Sequence, residues 1–373
     1  MQFKCSTIDL ASASNIVCKA LPARVVAPFS SAILIKAENN IVTLIANSHD
    51  ITIKKEIKAL VQNKGQVLIE GKTFSEFIKK VSCEEIELEE NESTVDENEE
   101  RRLIIKYDDS NILNLSCLPD KYPKIEEKVE YYDIETSQME LKEILEKGSY
   151  CISAEDARPA LKGCFLETKD DFLTIVSLDG YRMAVVKCKL LEKNNNISAL
   201  VQGKSLIEIA KVLESNEEIV KIKKTKNMIY FNVATTTIIL RIMQLEFYNY
   251  ENILPKDHAI EVFLIKEDLQ KSVDRVSLMC KSEKDYLKMY IEENEIKITV
   301  VSSTASIEER VKCKKIGEDI LMAFNYKFLR DALSKCKDKE IKAEIISPIK
   351  PLLFVPIEGD HFKHLILPVK LEY

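Results

Sequence analysis

The chain has 373 residues, 46% of them hydrophobic, and its 54 lysines and arginines against 61 aspartates and glutamates leave a formal net charge of -7 at pH 7. That length predicts two or three domains, and the apolar content supplies several cores and excludes a disordered chain. The acidic balance excludes a protein that coats nucleic acid with its whole surface, but leaves room for a basic stripe on one face.

No apolar run is long enough to span a membrane, and Met1 to Leu10 lack the charged-then-apolar layout of a signal peptide. The ten cysteines stand singly, with no CxxC pair. They read as reduced, buried thiols of a cytoplasmic protein, not as a disulfide or zinc framework. Four histidines, two of them His361 and His364 near the C-terminus, make a metal site unexpected. No cofactor is expected either.

In chain order, the first amphipathic helix is predicted over Ile8–Leu21. Asn40 then opens a hairpin turn into an alternating strand ending at Ile45. The short apolar strand Val67–Ile69 leads into a second helix over 72–82. The stretch Glu84–Glu100 holds ten acidic residues and no basic one. It reads as a solvated strand-to-strand loop with a disordered tip. Further helices are predicted over Gln138–Ser149, 204–214, Asp268–Lys281 and 325–338. Those at 204 and 325 again follow short apolar strands, Ala199–Val201 and Ile320–Met322.

This recurrence is an internal repeat. Gly71–Val81, Gly203–Leu213 and Asn325–Lys335 share one pattern, and their starts lie 132 and 122 residues apart. Asn40–Ile45 falls against Asp171–Val176, and Lys169–Val176 against Glu292–Thr299, at similar spacings. Three units follow, at 1–129, 130–256 and 257–373, each near typical domain size. Strands that dominate such units can join edge to edge into a continuous sheet, which also removes exposed edges. The helices then line one face. The six predicted helices carry 15 basic and 11 acidic residues, so the remainder of the chain balances at -11. This layout suits loose, sequence-independent contact with phosphates, although solvated helix faces commonly carry mixed charge.

Four local motifs sharpen the picture: Asp156–Gly163, Ser177–Ala184, Phe247–Pro255 and Leu365–Leu371. Together with the three units, they resemble the bacterial DNA polymerase III beta subunit, the sliding clamp, over essentially the whole chain. The resemblance implies an α+β fold of three repeated DNA-clamp domains, each with two helices packed on antiparallel sheets, the three together forming half of a closed ring. It implies a head-to-tail homodimer that encircles double-stranded DNA and confers processivity without catalysis of its own. The implied partners are the replicative polymerase, an ATP-driven clamp loader, and other polymerases and repair proteins that carry short peptide motifs.

Carried over by motif, the partner-peptide pocket comprises Leu161, Leu178, Gly180, Tyr181, Arg182 and Met183. Tyr248, Ile253, Phe328, Ile349, Leu367, Pro368 and Val369 complete it, with Arg158 and Lys370 at the rim. An apolar groove with a few polar fixing groups suits an extended peptide; taken without the resemblance, its apolar members read as core. Arg24 matches a DNA-contacting position of the family, and Lys72, Lys79, Lys80, Lys204, Lys211, Lys327 and Lys335 are the helix-borne candidates for DNA. Leu113 and Leu115, facing Leu278 and Met279, are the candidates for the dimer interface.

The chain departs from the family pattern at Leu178, where a small or hydroxyl residue is usual, and at Tyr248, where proline is common. It also continues past Leu371 with Glu372 and Tyr373. Among rival readings, an enzyme lacks its constellation: there is no GxSxG, HExxH, P-loop or Gly-rich dinucleotide turn, and the adjacent pair His49–Asp50 falls in a strand-turn. A clamp-like scaffold that binds peptides without serving the main replicase stays open on sequence alone.

Overall fold

The computed structural model describes residues 1–22, 24, 28–91, 101–108, 110–119, 122–123, 131–153, 158–280, 285–301 and 306–371. Among them are six α-helices: α1 (Thr7–Val17), α2 (Gly71–Ile78), α3 (Gln138–Gly148), α4 (Gly203–Val212), α5 (Lys266–Ser277) and α6 (Tyr326–Lys335). Each follows directly on a strand, and the residue at the junction often caps the helix. Ser6 accepts from the Asp9 amide at 3.3 Å, Glu70 from that of Thr73 at 2.7 Å, and Asn325 from that of Lys327 at 2.9 Å. These bonds satisfy amide donors that a helix start leaves without partners. No described helix is long and apolar enough to cross a membrane.

The chain divides into two compact units. The first takes Met1–Lys142, Leu191–Asn195 and Glu208–Met243; the second takes Glu143–Leu190, Asn196–Ile207 and Gln244–Tyr373.

The first unit holds a five-stranded sheet ordered Leu60–Asn63, Gln2–Ser6, Glu85–Asn91, Arg102–Tyr107, Asn111–Ser116. It also holds a nine-stranded sheet, in which Thr236–Arg241 lies beside Ile51–Lys58, followed by Ile41–Asn47, Ala32–Glu38 and Gly65–Glu70. The second unit holds one twelve-stranded sheet. There Ser198–Gln202, Gly163–Lys169, Phe172–Leu178 and Arg182–Lys189 meet Phe362–Ile366. The far end of that sheet runs Ser306–Ile316, Glu295–Val301, Tyr286–Ile291, Ile320–Asn325.

One four-strand order therefore occurs three times, and each time its outermost strand leads into a helix. Strand pairing also crosses the repeat boundaries. Ile238 lies opposite Ile53, and His364 opposite Ala184. All four side chains are fully buried. The expected edge-to-edge continuity is thus present within each unit.

Local chemistry sets the hairpins. Asn39 and Asn40 (φ 52° and 58°) turn the chain ahead of Ile41–Asn47, and Asp170 (φ 52°) does the same ahead of Phe172–Leu178. Short polar side chains tolerate this left-handed backbone, and two such residues in succession match the twist of paired strands.

Three expectations need correction. The acidic stretch is not a loop from its start: Glu85–Asn91 is a strand paired with both Gln2–Ser6 and Arg102–Tyr107. Ile86 and Leu88 point into the core while Glu87 and Glu89 reach Lys106 on the other face. Residues 92–100 lie outside the described part. Helix ends also shift: α1 stops at Val17 and tightens into a 3-10 turn, Cys18–Ala20, and Leu278 caps α5. Finally, the ten cysteines are free as expected, but only five are buried; Cys18, Cys83, Cys117, Cys280 and Cys313 are half-buried.

The joint at Ile53 and Ile238 should be costly to weaken. Ile238→Ala is expected to remove about 2–5 kcal/mol by leaving a cavity, lowering the thermal midpoint by several degrees. Ile41→Ala, at a 40% exposed position, should leave it nearly unchanged. Equal midpoints for the two variants would contradict the buried joint.

Candidate functional site

The predicted pocket residues lie in the second unit, several of them on or beside the paired strands Arg182–Lys189 and Phe362–Ile366. Leu161, Leu178 and Met183 form an apolar floor together with Val176, Val185, Tyr250, Leu353, Val355 and Leu365. Phe165, Phe247 and Leu254 pack against it. The Phe247 ring stacks on Phe165 at 5.1 Å, and Tyr248 leans on Phe247 at 6.1 Å. Sequence reasoning missed most of this floor. The alternation within Phe172–Leu178 and Arg182–Lys189 was the available signal, because it turns Val176, Leu178, Met183 and Val185 toward one side.

The wall is built around Arg182. Its guanidinium bonds to Asp179 at 2.9 Å and to Asp331 on α6 at 2.6 Å. It also lies over the Phe328 ring at 4.7 Å and the Tyr150 ring at 5.4 Å. Tyr181 stacks on Phe328 at 5.9 Å, and the Leu367 amide donates to the Tyr181 carbonyl at 2.8 Å. Gly180 has φ 91°, and a Cβ there would come within 3.2 Å of an Arg158 nitrogen. Glycine thus serves both the turn and the approach of Arg158. Asp331 is a site residue that no local pattern reveals, since it reaches Arg182 from 149 positions away.

Large apolar side chains stay exposed around this wall: Tyr181 62%, Tyr248 39%, Ile253 43% and Leu367 37%. All four stand in turns or connecting segments beside the sheet, and exposed large apolar side chains of this kind make the wall a candidate binding surface. Ile349, 70% exposed, stands in the turn before Leu352–Pro356 and is not among the residues that build the wall. Pro368 and Val369 are half-buried and Lys370 is exposed. Of the first motif, residues 156 and 157 lie outside the described part, as do Glu372 and Tyr373.

The basic candidates are placed as follows. On α2 and its cap, Lys72 donates to the Pro22 carbonyl at 3.3 Å and Lys79 to Asn15 at 2.7 Å, with Lys80 exposed beside them. On α4, Lys204 is exposed and Lys211 pairs with Glu208 at 2.6 Å. On α6, Lys327 and Lys335 are half-buried, and Arg24 is exposed. Leu113 and Leu115 lie half-buried on the edge strand Asn111–Ser116. Leu278 is 74% exposed, and Met279 follows it half-buried. The His49 ring nitrogen faces Arg241 at 3.5 Å.

Known proteins share this architecture. Descriptions of the DNA polymerase III beta subunit match the chain in three successive stretches: the N-terminal domain over residues 1–126, the central domain over 135–249 and the C-terminal domain over 251–370. The chain belongs to the DNA polymerase III beta subunit family. The beta sliding clamp of Staphylococcus epidermidis is 27% identical to it over 370 residues, covering 95% of this chain and 96% of that one. That of Halalkalibacterium halodurans is 26% identical over 373 residues, with the same coverage. The DNA polymerase sliding clamp from Bacillus subtilis has the same fold, with a TM-score of 0.93 at 23% identity over the full length of both chains. The fold is thus three clamp domains, and the function is that of a sliding clamp, a processivity factor without catalytic activity of its own. The scaffold alternative is not favoured.

Behind the wall, His364 is fully buried; its Nδ1 meets the Tyr150 hydroxyl at 3.2 Å. Burial, with Lys147 and Lys335 nearby, pushes its imidazole down to about 3. An unfolded histidine takes up a proton near pH 6.5, whereas this one stays neutral in the fold. Its contribution to stability is therefore full above pH 6.5 and is lost as pH falls below that value. Between pH 6.5 and 5, stability should fall by up to about 1.4 kcal/mol per pH unit on its account. The variant His364→Leu should flatten that slope in thermal melts. Identical slopes in the two proteins would contradict the buried, neutral state.

Proposed function

We propose that two copies of this chain close head to tail into a ring around duplex DNA, and that the wall around Arg182 receives the peptides of its partners. One observation carries the ring. In the first two repeats, the end strand of the four-strand order, opposite the one that leads into the helix, is joined on its outer side by a strand from the next repeat. Ile51–Lys58 is joined by Thr236–Arg241, and Arg182–Lys189 by Phe362–Ile366. In the third repeat, the equivalent stretch Ser306–Arg310 pairs on one side with Glu295–Val301 and has no outer strand partner among the described residues. The remaining strand of the joining type, Asn111–Ser116, is the edge of its sheet. One edge of each kind is left over, and each lacks what the other offers. A heterologous contact of this sort, repeated on a second copy, closes when the rotation allows.

The register carries over as well. Ile238 lies opposite Ile53 at one joint and His364 opposite Ala184 at the other. The same step from the hairpin turn sets Leu113 opposite Ile307 of a second copy. Leu115, Leu278 and Met279 then flank that joint.

The three domains are taken as 1–129, 130–256 and 257–373. In the ring, the helices face the DNA, and Arg24, Lys72, Lys79, Lys80, Lys204, Lys211, Lys327 and Lys335 meet phosphates without reading sequence. The pocket is the full set from Arg158 to Lys370 named from the sequence, with Asp331 added as the residue that positions Arg182. Its occupants are short motifs of the replicative polymerase, the clamp loader and other polymerases and repair proteins. An extended peptide with apolar anchors fits an apolar floor beside an ion-paired wall. The setting is the cytoplasm.

The ring is tested by mass in solution. The wild-type chain should scatter light as a particle of about twice 42.7 kDa. Leu113→Asp, which puts a carboxylate at a joint meant for apolar pairing, should scatter as a single chain with its helix and strand content intact. A wild-type monomer, or a dimer indifferent to Leu113→Asp and Ile307→Asp alike, would overturn the proposed joint.

A further inference from the structure

The joint between the second and third repeats has a counterpart between the first and second. At the former, Leu178 pairs with Met183 and Met183 with Leu365. At the latter, Asn47 pairs with Thr52 and Thr52 with Ile239. Two residues beyond Leu365 stands Leu367; two beyond Ile239 stands Arg241. A cleft of about 260 Å³ opens at this counterpart position, within the first unit.

The cleft repeats the layout of the pocket but changes its chemistry. Its floor is apolar and aromatic: Ile51 is 6% exposed, Tyr230 3% and Ile239 8%. Phe29 forms one side and is braced edge-on by Tyr122, with ring centroids 6.2 Å apart. The rim is polar where the other pocket is aliphatic. Asn47 stands in place of Leu178, with its oxygen held by the Thr52 hydroxyl at 2.8 Å, and Arg241 stands in place of Leu367. Arg241 is exposed and forms no ion pair among the described residues; its guanidinium meets the His49 imidazole at 3.5 Å.

We infer that this cleft is a second peptide-binding groove, and that it takes an extended segment with an aromatic anchor followed by a carboxylate. The anchor lies on Tyr230, Ile239 and Phe29. The carboxylate meets the guanidinium fork of Arg241, whose geometry suits a planar anion. Asp50 lines the same cleft, so one carboxylate fits beside Arg241 and a run of them does not. The two grooves of a chain would then select different peptides, aliphatic at one and acidic-aromatic at the other, so that one ring holds two kinds of partner at once. The inference rests on the peptide-pocket reading above for the geometry that the two joints share.

The chain contains no tryptophan, so a tryptophan in a peptide reports binding against no background. The probe is the blocked pentapeptide Ala-Ala-Trp-Asp-Ala, with its asparagine counterpart as control, titrated by fluorescence anisotropy against the full chain. The aspartate peptide should bind wild type and Leu367→Asp alike. Arg241→Ala should weaken it by about tenfold or more, the loss expected of a charge-assisted bond, and the asparagine peptide should lose as much on wild type. Arg241→Ala binding as tightly as wild type would overturn the inference. So would a failure of wild type to bind, or binding abolished by Leu367→Asp, which would put the peptide in the other groove. The pocket reading itself is judged separately, by whether Leu367→Asp abolishes binding of an aliphatic peptide such as blocked Ala-Leu-Trp-Leu-Ala.

Discussion

Strand pairing across repeat boundaries is the constraint on which the rest depends. A strand edge carries unpaired amides and carbonyls that must find partners. Here two such edges are satisfied inside the chain, by Thr236–Arg241 on Ile51–Lys58 and by Phe362–Ile366 on Arg182–Lys189. Buried apolar pairs, Ile53 with Ile238 above all, lock each joint in one register. A one-residue slip would turn those side chains to the other face of the sheet. The leftover edges, Asn111–Ser116 and Ser306–Arg310, carry the same demand outside the chain, and this makes assembly with a second copy the natural reading.

The joints also carry the candidate binding surfaces. Where two repeats meet, the end of one sheet segment lies against the turn of another, and a groove forms above the pairing. At the second joint, Leu178, Met183 and Leu365 make its floor apolar. The wall is held by one arginine between two carboxylates and two aromatic rings. Arg182 is thereby held in one orientation, and a pre-ordered side chain of this kind loses little entropy if it meets a ligand. Because Asp331 and Phe328 belong to α6, the wall is tied to the helix that also carries Lys327 and Lys335.

Much of this was legible in the sequence, for identifiable reasons. The threefold repeat showed because helices and hairpins recur with local signatures, such as Asn40 and Asp170 at turns and glycine or asparagine ahead of a helix. Tyr181, Arg182, Phe328 and Leu367 were reachable through motifs and do come together. The strand Glu85–Asn91 was misread because its carboxylates hid a period of two: Ile86 and Leu88 alternate inward, and the acids on the opposite face find Lys106. Asp331 was out of reach, since its role exists only once α6 packs beside the turn at Asp179–Arg182. The leftover edges were invisible too, because which strands lack a neighbour is a property of topology and not of composition.

A sliding clamp holds DNA by enclosing it, so the link is topological. The most direct measurement is retention of the labelled protein on circular DNA after loading by a clamp loader, before and after the circle is cut once at a site far from any bound partner. The account predicts long retention on the closed circle and rapid loss through the ends once it is linear, at salt concentrations that abolish simple phosphate contacts. Equal retention on circular and linear DNA, or loss from both as salt rises, would contradict it.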